Sequence, residues 1–559
     1  LLQFCFTTLF AQEGKYIIRF TDKAGTPYSL SNPSAYLSER AIERRNRQKI
    51  PVDSSDLPIT PRYLDSLRAA GAEILNVSKW FNQALVRITD EVILDKINSF
   101  PFVIASQRLS PQVMSVQSTG QSQTKSKWDD IETEGKTLPN NSTRVQSDIT
   151  DYGNSYNQIH IHEGEFLHNQ GFKGNGIVIA VLDAGFNSYK SNPALDSIRM
   201  KGRILGEWDF VKNEASVNED HAHGMYCLSA MAANRPGVMV GSAPHASYWL
   251  LRTEDAASEY PIEEQNWVAA AEFADSAGAD MISSSLGYVS FDDPSYNYSY
   301  AQRDGNTSLI TRGADKAAQK GILVMISAGN YGTRTDDVKY VACPADGDSV
   351  MAVGSVNISG IISGFSSWGP NGAGKVKPSV VSVGQGTVLA NAAGNTFASN
   401  GTSYSNPNLA GLIACLWQAF PEFNNMEIMR AVERSAHQFS HPDDRYGHGI
   451  PNFRKAYEIL QAEKELRANS QILGNDHIKA YPLPFTDNLK VLLKGRINGT
   501  VLLRLLDGHG RIIETKSLTT VTDLYYNISF TRTFSLNSGV YYIQYDDGLN
   551  RTMTPVIRQ

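Results

Sequence analysis

The stretch DHAHGMYC (220–227) sets two histidines two positions apart, His221 and His223. An imidazole titrates near neutrality, so each is a candidate general base or metal ligand. A metal pair needs further ligands, and none stands at an obvious spacing. A base needs a nucleophile to act on and a carboxylate to orient it, and three other stretches offer such parts. Asp183 closes the apolar run GIVIAVLD (176–183), and Gly185 soon after lets the chain turn. Ser403 lies in NGTSYSNPNLAGLIACLWQAF (400–420), where Leu409, Leu412, Ile413, Leu416, Trp417 and Phe420 have helical spacing. The spacing predicts a helix beginning near Ser403, with Pro407 in or near its first turn. The backbone N–H of Ser403 then faces an anion from the positive end of that helix. Asn330 follows an apolar run in GILVMISAGNYG (321–332), between Gly329 and Gly332, where a carboxamide can donate into a cleft. Taken singly, each has a plain structural reading: a turn-capping aspartate, an N-cap serine, a turn asparagine.

The elements around these residues alternate. GIVIAVLD, SYWLLR (247–252), ADMISSSLG (279–287), GILVMISAGN (321–330) and VMAVGSV (350–356) are short apolar runs of the kind buried on both faces. Between them, 262–278 and 308–321 have helical character. Alternation of this kind predicts an α/β fold, a parallel sheet with helices on both faces. Function in such sheets gathers at the carboxyl ends of the strands.

Read in order, the blocks IAVLDAGF, HGMYCLSAMAA, ISAGN and GTSYSNP resemble those of the subtilisin-like serine proteases, over roughly residues 171–450. The order Asp, His, Ser is that of subtilisin. The resemblance implies Asp183, His223 and Ser403 as the catalytic residues, with Asn330 and the Ser403 backbone N–H as the oxyanion hole. His221 is then a loop residue near the site. SSSLG (283–287) is similar to the strand lining the family's specificity pocket, which implies substrate binding by Ser285, Leu286 and Gly287. FSSWGP (365–370) resembles a further block. Met225 replaces the family's usual Thr, and Tyr404 follows the serine where Met or another hydrophobe is common; both are expected to alter the cleft wall. Cys227, four residues after His223, is expected one helical turn beneath it. No cofactor or metal is required by this chemistry. Structural calcium is common in the family, though no convincing calcium loop stands in the sequence.

The chain has 559 residues, 41% hydrophobic and 19% charged, which suits two to four globular domains. A net charge of −6, spread along the chain, argues against nucleic-acid binding. Residues 1–12 are apolar but too short to span a bilayer, and fit part of a secretory signal peptide. No other segment suits a transmembrane helix. Leaving Cys5 with that signal, three cysteines remain, so at least one should stay a thiol. Residues 14–110 read as a small α+β unit, with strands at 15–20 and 72–88 and helices at 38–48 and 90–100; the basic run SERAIERRNRQ (38–48) reads as a solvated helix face. This unit resembles the propeptide of Bacteroidetes subtilases, which implies a folding aid and inhibitor of its own protease. Residues 111–150 have linker composition and would hold the processing site. The catalytic domain is expected over 151–465, and an antiparallel β-sandwich over 470–559. YPLPF (481–485), LLDGHGRII (505–513) and LNSGVYYIQY (536–545) are similar to the sorting domain of the type IX secretion system, with Leu483 where Asn is common. That resemblance implies engagement of the type IX machinery and export across the outer membrane of a Gram-negative bacterium, to the surface or beyond. The expected function is a secreted endopeptidase acting on proteins or peptides. The alternative is a catalytically silent surface or adhesion protein on the same scaffold.

Overall fold

The computed structural model describes residues 14–109, 134–139 and 148–559; the signal-like start and most of the 111–150 stretch lie outside the described residues. The chain divides into two compact units, Leu1–Tyr457 and Glu458–Gln559.

The first unit is built on an eight-stranded sheet in the order Thr396–Asn400, Val380–Ala390, Val350–Asn357, Leu323–Ser327, Met281–Ser284, Val178–Asp183, Ser247–Arg252, Ile204–Asp209. Every neighbouring pair is parallel except the first, which is antiparallel. The α/β expectation therefore holds. The apolar runs are strands for the reason their composition suggested: Val178–Asp183, Met281–Ser284 and Leu323–Ser327 are buried along their whole length. Trp267, Val268 and Ala271 of the helix Ile262–Ala277 pack with Ile282 and Val324 of the sheet in one core. Three strands of this sheet went unread in the sequence, Ile204–Asp209, Val380–Ala390 and Thr396–Asn400. The first lies at a sheet edge, half-buried and without a clean apolar pattern.

A four-stranded antiparallel sheet precedes this one, in the order Glu73–Ser78, Gln83–Ile88, Gly14–Phe20, Val103–Arg108. Tyr63 and Leu67 of the helix Pro61–Ala70 and Ile97 of the helix Glu91–Asn98 close its core. Its other face lies on the α/β domain: Ile17, Leu85 and Leu109 cluster with Ile262 and Leu309, and Gln83 donates to Gln265 at 2.7 Å. The run 38–48 does form a helix, Glu39–Gln48. It is not a solvated face, however: Arg44 and Arg45 are each only 1% exposed. Charged partners from distant segments enclose them, which no local pattern announces.

Of the stretch read as linker, residues 134–139 run beside the edge strand Thr396–Asn400, with Leu138 N–H donating to Thr396 O at 2.7 Å. The second unit holds two antiparallel sheets, one of three strands and one of four. Phe485, Val491, Leu503, Ile543 and Val556 lie in their shared core.

Candidate active site

The winding of the large sheet reverses between the neighbouring strands Val178–Asp183 and Met281–Ser284. The crevice outside the carboxyl ends of strands at such a point is where open α/β sheets bind ligands. Asp183, Ser285 and Asn330 all stand at that end, each on or just past the last residues of its strand.

Asp183 is fully buried, and its Oδ1 accepts from its neighbour Ala184 N–H at 2.8 Å. The same oxygen lies 2.6 Å from His223 Nδ1. A carboxylate against Nδ1 favours the proton on that nitrogen, so that Nε2 is the basic one. His223 is the first residue of the helix His223–Ala232. This helix starts pressed against the aspartate strand: a Cβ on Gly224 would stand 2.6 Å from Gly185 O and 2.8 Å from Asp183 Cβ. His221 lies in the preceding loop, and its Nδ1 accepts the His223 backbone N–H at 3.2 Å. Cys227 follows one turn into the helix, its Sγ 3.9 and 4.0 Å from the two ring nitrogens of His223. Burial pushes this thiol up to about 11, so at neutral pH it is a protonated donor.

Ser403 is the second residue of the helix Thr402–Ala419, whose N-cap Gly401 has φ of 149°, a conformation side chains rarely adopt. Pro407 lies inside that helix, in its second turn. It has no N–H to give to the carbonyl four residues back, which is that of Ser403. Ser403 O accepts instead from Ser285 Oγ at 2.8 Å and from Cys227 Sγ at 3.4 Å. The missing helical bond thus ties the serine to both the histidine helix and the Ser285 segment. Ser403 Oγ itself lies 3.5 Å from Ser285 O.

Asn330 Oδ1 accepts from both the backbone N–H and the hydroxyl of Thr402, each at 2.8 Å. Its carboxamide oxygen is thereby committed to the start of the serine helix, and the nitrogen is the donor end. Ser367 holds the same turn, accepting from Tyr331 N–H at 3.1 Å and donating its own N–H to Gly329 O at 3.0 Å. Thr402 and Ser367 were not singled out from the sequence. Their signal was present, since each stands inside a quoted block, GTSYSNP or FSSWGP.

Ser285, Leu286 and Gly287 leave the sheet beside Ser403, and the first two are 3% and 2% exposed. The next residue, Tyr288, pairs antiparallel with Cys343. A Cβ on Gly287 would sit 2.9 Å from Ala342 Cβ, so only glycine fits against that neighbour without movement. Met225 and Tyr404 do not form an exposed cleft wall: they are 0% and 1% exposed. Met225 Sδ accepts from Asn192 at 3.0 Å, and the Tyr404 ring packs 5.8 Å from that of His223. Cys227, Cys343 and Cys415 are all buried free thiols.

Comparison with known proteins bears on this arrangement. The profile of the subtilase family, peptidase S8, matches residues 174–449. That of the Bacteroidota peptidase S8 propeptide domain matches 15–128, and that of a secretion system C-terminal sorting domain matches 479–559. Subtilisin E of Bacillus subtilis is 31% identical over 295 residues, covering 52% of this chain and 68% of the relative. Subtilisin of Bacillus pumilus is 30% identical over 295 residues, covering 52% of this chain and 94% of the relative. A thermostable alkaline protease of Halalkalibacterium halodurans is 29% identical over 292 residues, 52% of this chain and 70% of the relative. The C-terminal domain is a type IX sorting domain, which directs export across the outer membrane to the surface or the extracellular space. Among the described residues no helix is long and apolar enough to cross a membrane. With a peptidase S8 domain between a propeptide domain and a sorting domain, this chain belongs to the subtilase family of serine endopeptidases.

Proposed function

We propose that the protein hydrolyses peptide bonds through an acyl-enzyme on Ser403. His223 takes the hydroxyl proton as Ser403 attacks the scissile carbonyl, then returns it to the leaving amine. Asp183 holds the imidazole in orientation and stabilises its charged form. The amide of Asn330 and the backbone N–H of Ser403 meet the oxyanion. Ser285–Gly287 flank the bound peptide. The observation that carries this reading is the buried 2.6 Å contact of Asp183 with His223, beside the start of the serine helix. Every reacting group is a protein side chain or backbone N–H, so the chemistry requires no cofactor.

On the same reading the N-terminal domain aids folding and then inhibits, and the chain is cut within 111–150. Its support is the packing of the small sheet on the helix Ile262–Ala277.

A fluorophosphonate probe tests the nucleophile. The mature wild-type protein should be labelled and should hydrolyse casein, while Ser403→Ala should do neither. Labelling that survives Ser403→Ala removes this residue from the mechanism. Absence of labelling in the mature wild type points to the silent surface protein.

A further inference from the structure

We propose that the helix Glu39–Gln48 is a latch that keeps the N-terminal domain seated after the connecting chain is cut, by gripping the end of the protease sheet opposite the reacting groups. This rests on the reading of that domain as a propeptide severed within 111–150.

The grip is polar and buried. Arg44 donates through Nε to Lys320 O at 3.2 Å and through Nη1 to Ala279 O, and its Nη2 pairs with Asp275. Arg45 bridges Asp275 at 2.9 Å and Asp56, a residue of its own domain, at 2.8 Å. The exchange runs both ways, because Lys320 of the protease reaches back to Asp56 at 2.8 Å and to Asp53 at 3.0 Å. Arg44, Arg45 and Lys320 are at most 2% exposed, and Asp56 and Asp275 are 0% exposed. At the rim Arg40 and Arg47 both pair with Asp280, and Gln48 donates to Gly321 O at 2.7 Å.

The carbonyls engaged here belong to a particular place. Gly278 is the C-cap of the helix Ile262–Ala277 and Lys320 that of the helix Leu309–Gln319. Arg40 and Arg44 therefore meet the negative ends of two helices. Asp280 immediately precedes the strand Met281–Ser284, and Gly321 lies two residues before the strand Leu323–Ser327. Asp183 and Ser285 lie at the other ends of those strands or of their neighbour, about 15–20 Å away at the usual rise per residue. The latch thus works independently of whatever occupies the cleft. Removing one member of a buried charged network leaves its partners uncompensated, and the effect falls chiefly on the off-rate. Salt screens such pairs weakly.

The test uses the full Ser403→Ala chain carrying a recognition sequence for an unrelated site-specific protease inserted within 111–128. After cutting with that protease, release of the N-terminal fragment is followed by size exclusion at about 0.15 M and about 1 M salt. The fragment should co-elute at both. Arg44→Met with Arg45→Met should speed release on the order of 100-fold. Arg68→Met with Arg87→Met removes two charges from the exposed pairs with Asp65 and Glu73 of the same domain, and should change the rate by less than about threefold. Arg44→Lys with Arg45→Lys keeps the charge but loses the forked geometry, and should release at an intermediate rate. Release of the double Met variant within about threefold of the parent, or equal acceleration by the control pair, overturns the latch. If the double Met variant does not accumulate folded, the Lys pair decides, and release as slow as the parent overturns it. The unmodified wild-type chain, incubated alone, tests self-cleavage separately: failure to cut rejects that reading and leaves the latch measured in the Ser403→Ala chain.

Discussion

Asn330 and Ser403 depend on neighbours that do no chemistry. The carboxamide of Asn330 is oriented by Thr402, whose N–H and hydroxyl both hold its oxygen. On the proposed mechanism Asn330→Ala removes one oxyanion donor and, with it, the acceptor of the Thr402 N–H and hydroxyl. Its kcat should fall by about 10²–10³-fold with little change in KM. Steady-state kinetics on a chromogenic peptide check this, and near wild-type kcat would remove Asn330 from the mechanism. The type of each candidate residue was legible in the sequence. The proline that frees Ser403 O was legible as well, but what the carbonyl then meets was not, because Cys227 and Ser285 come from other elements.

The strands were readable for a physical reason. A strand covered on both faces reads as a near-continuous apolar run, and short runs such as Leu323–Ser327 show that directly. An edge strand carries no such constraint, which is why Ile204–Asp209 passed unnoticed. The helix Glu39–Gln48 was misread because its buried side is made of arginines; nothing in its own spacing distinguishes an arginine facing water from one facing Asp275. Between elements, the histidine helix approaches the aspartate strand closely at Gly224. Gly224→Ala would press a methyl against the Gly185 carbonyl and the Asp183 side chain. Backbone cannot yield cheaply, so the helix start should move and the Asp183–His223 contact lengthen. The expected results are a stability loss of about 1–3 kcal/mol by thermal or denaturant unfolding and a drop of roughly 10-fold or more in kcat/KM.

At the scale of the whole molecule, the N-terminal propeptide domain and the protease meet through groups that titrate. Glu272, on the helix Ile262–Ala277, accepts from Ser78 Oγ, Lys79 N–H and Trp80 N–H of the N-terminal domain at 2.5, 2.7 and 3.0 Å. Burial pushes its carboxyl up to about 7, although Lys79 and those donors pull the other way. Lys23, nearby in the same domain, is held down to about 8 by its own burial. In the separated protease Glu272 would face water and titrate near its ordinary 4.5. A group whose value rises on docking takes up a proton as the domains meet. Its contribution to docking is therefore complete below about 4.5 and is lost as pH rises through about 7. In the cut Ser403→Ala chain, release should be about tenfold faster at pH near 8 than near 5. Glu272→Gln should flatten that difference, and an unchanged pH profile in Glu272→Gln assigns the dependence to other groups.

The sequence by itself determined five of the parallel strands, the helix that begins at the serine, the four blocks in subtilisin order and the character of the two flanking domains. These follow from patterns within one element, whose burial and turn geometry are encoded at its own period. Only the tertiary structure decided that the Asp183 carboxylate meets the His223 ring, that Cys227 and Ser285 take the carbonyl freed by Pro407, and that Arg44 and Arg45 are interior. Each of these joins positions at least 40 residues apart or places a charge among partners supplied by several segments. A local pattern carries no term for such a partner until the fold brings it there.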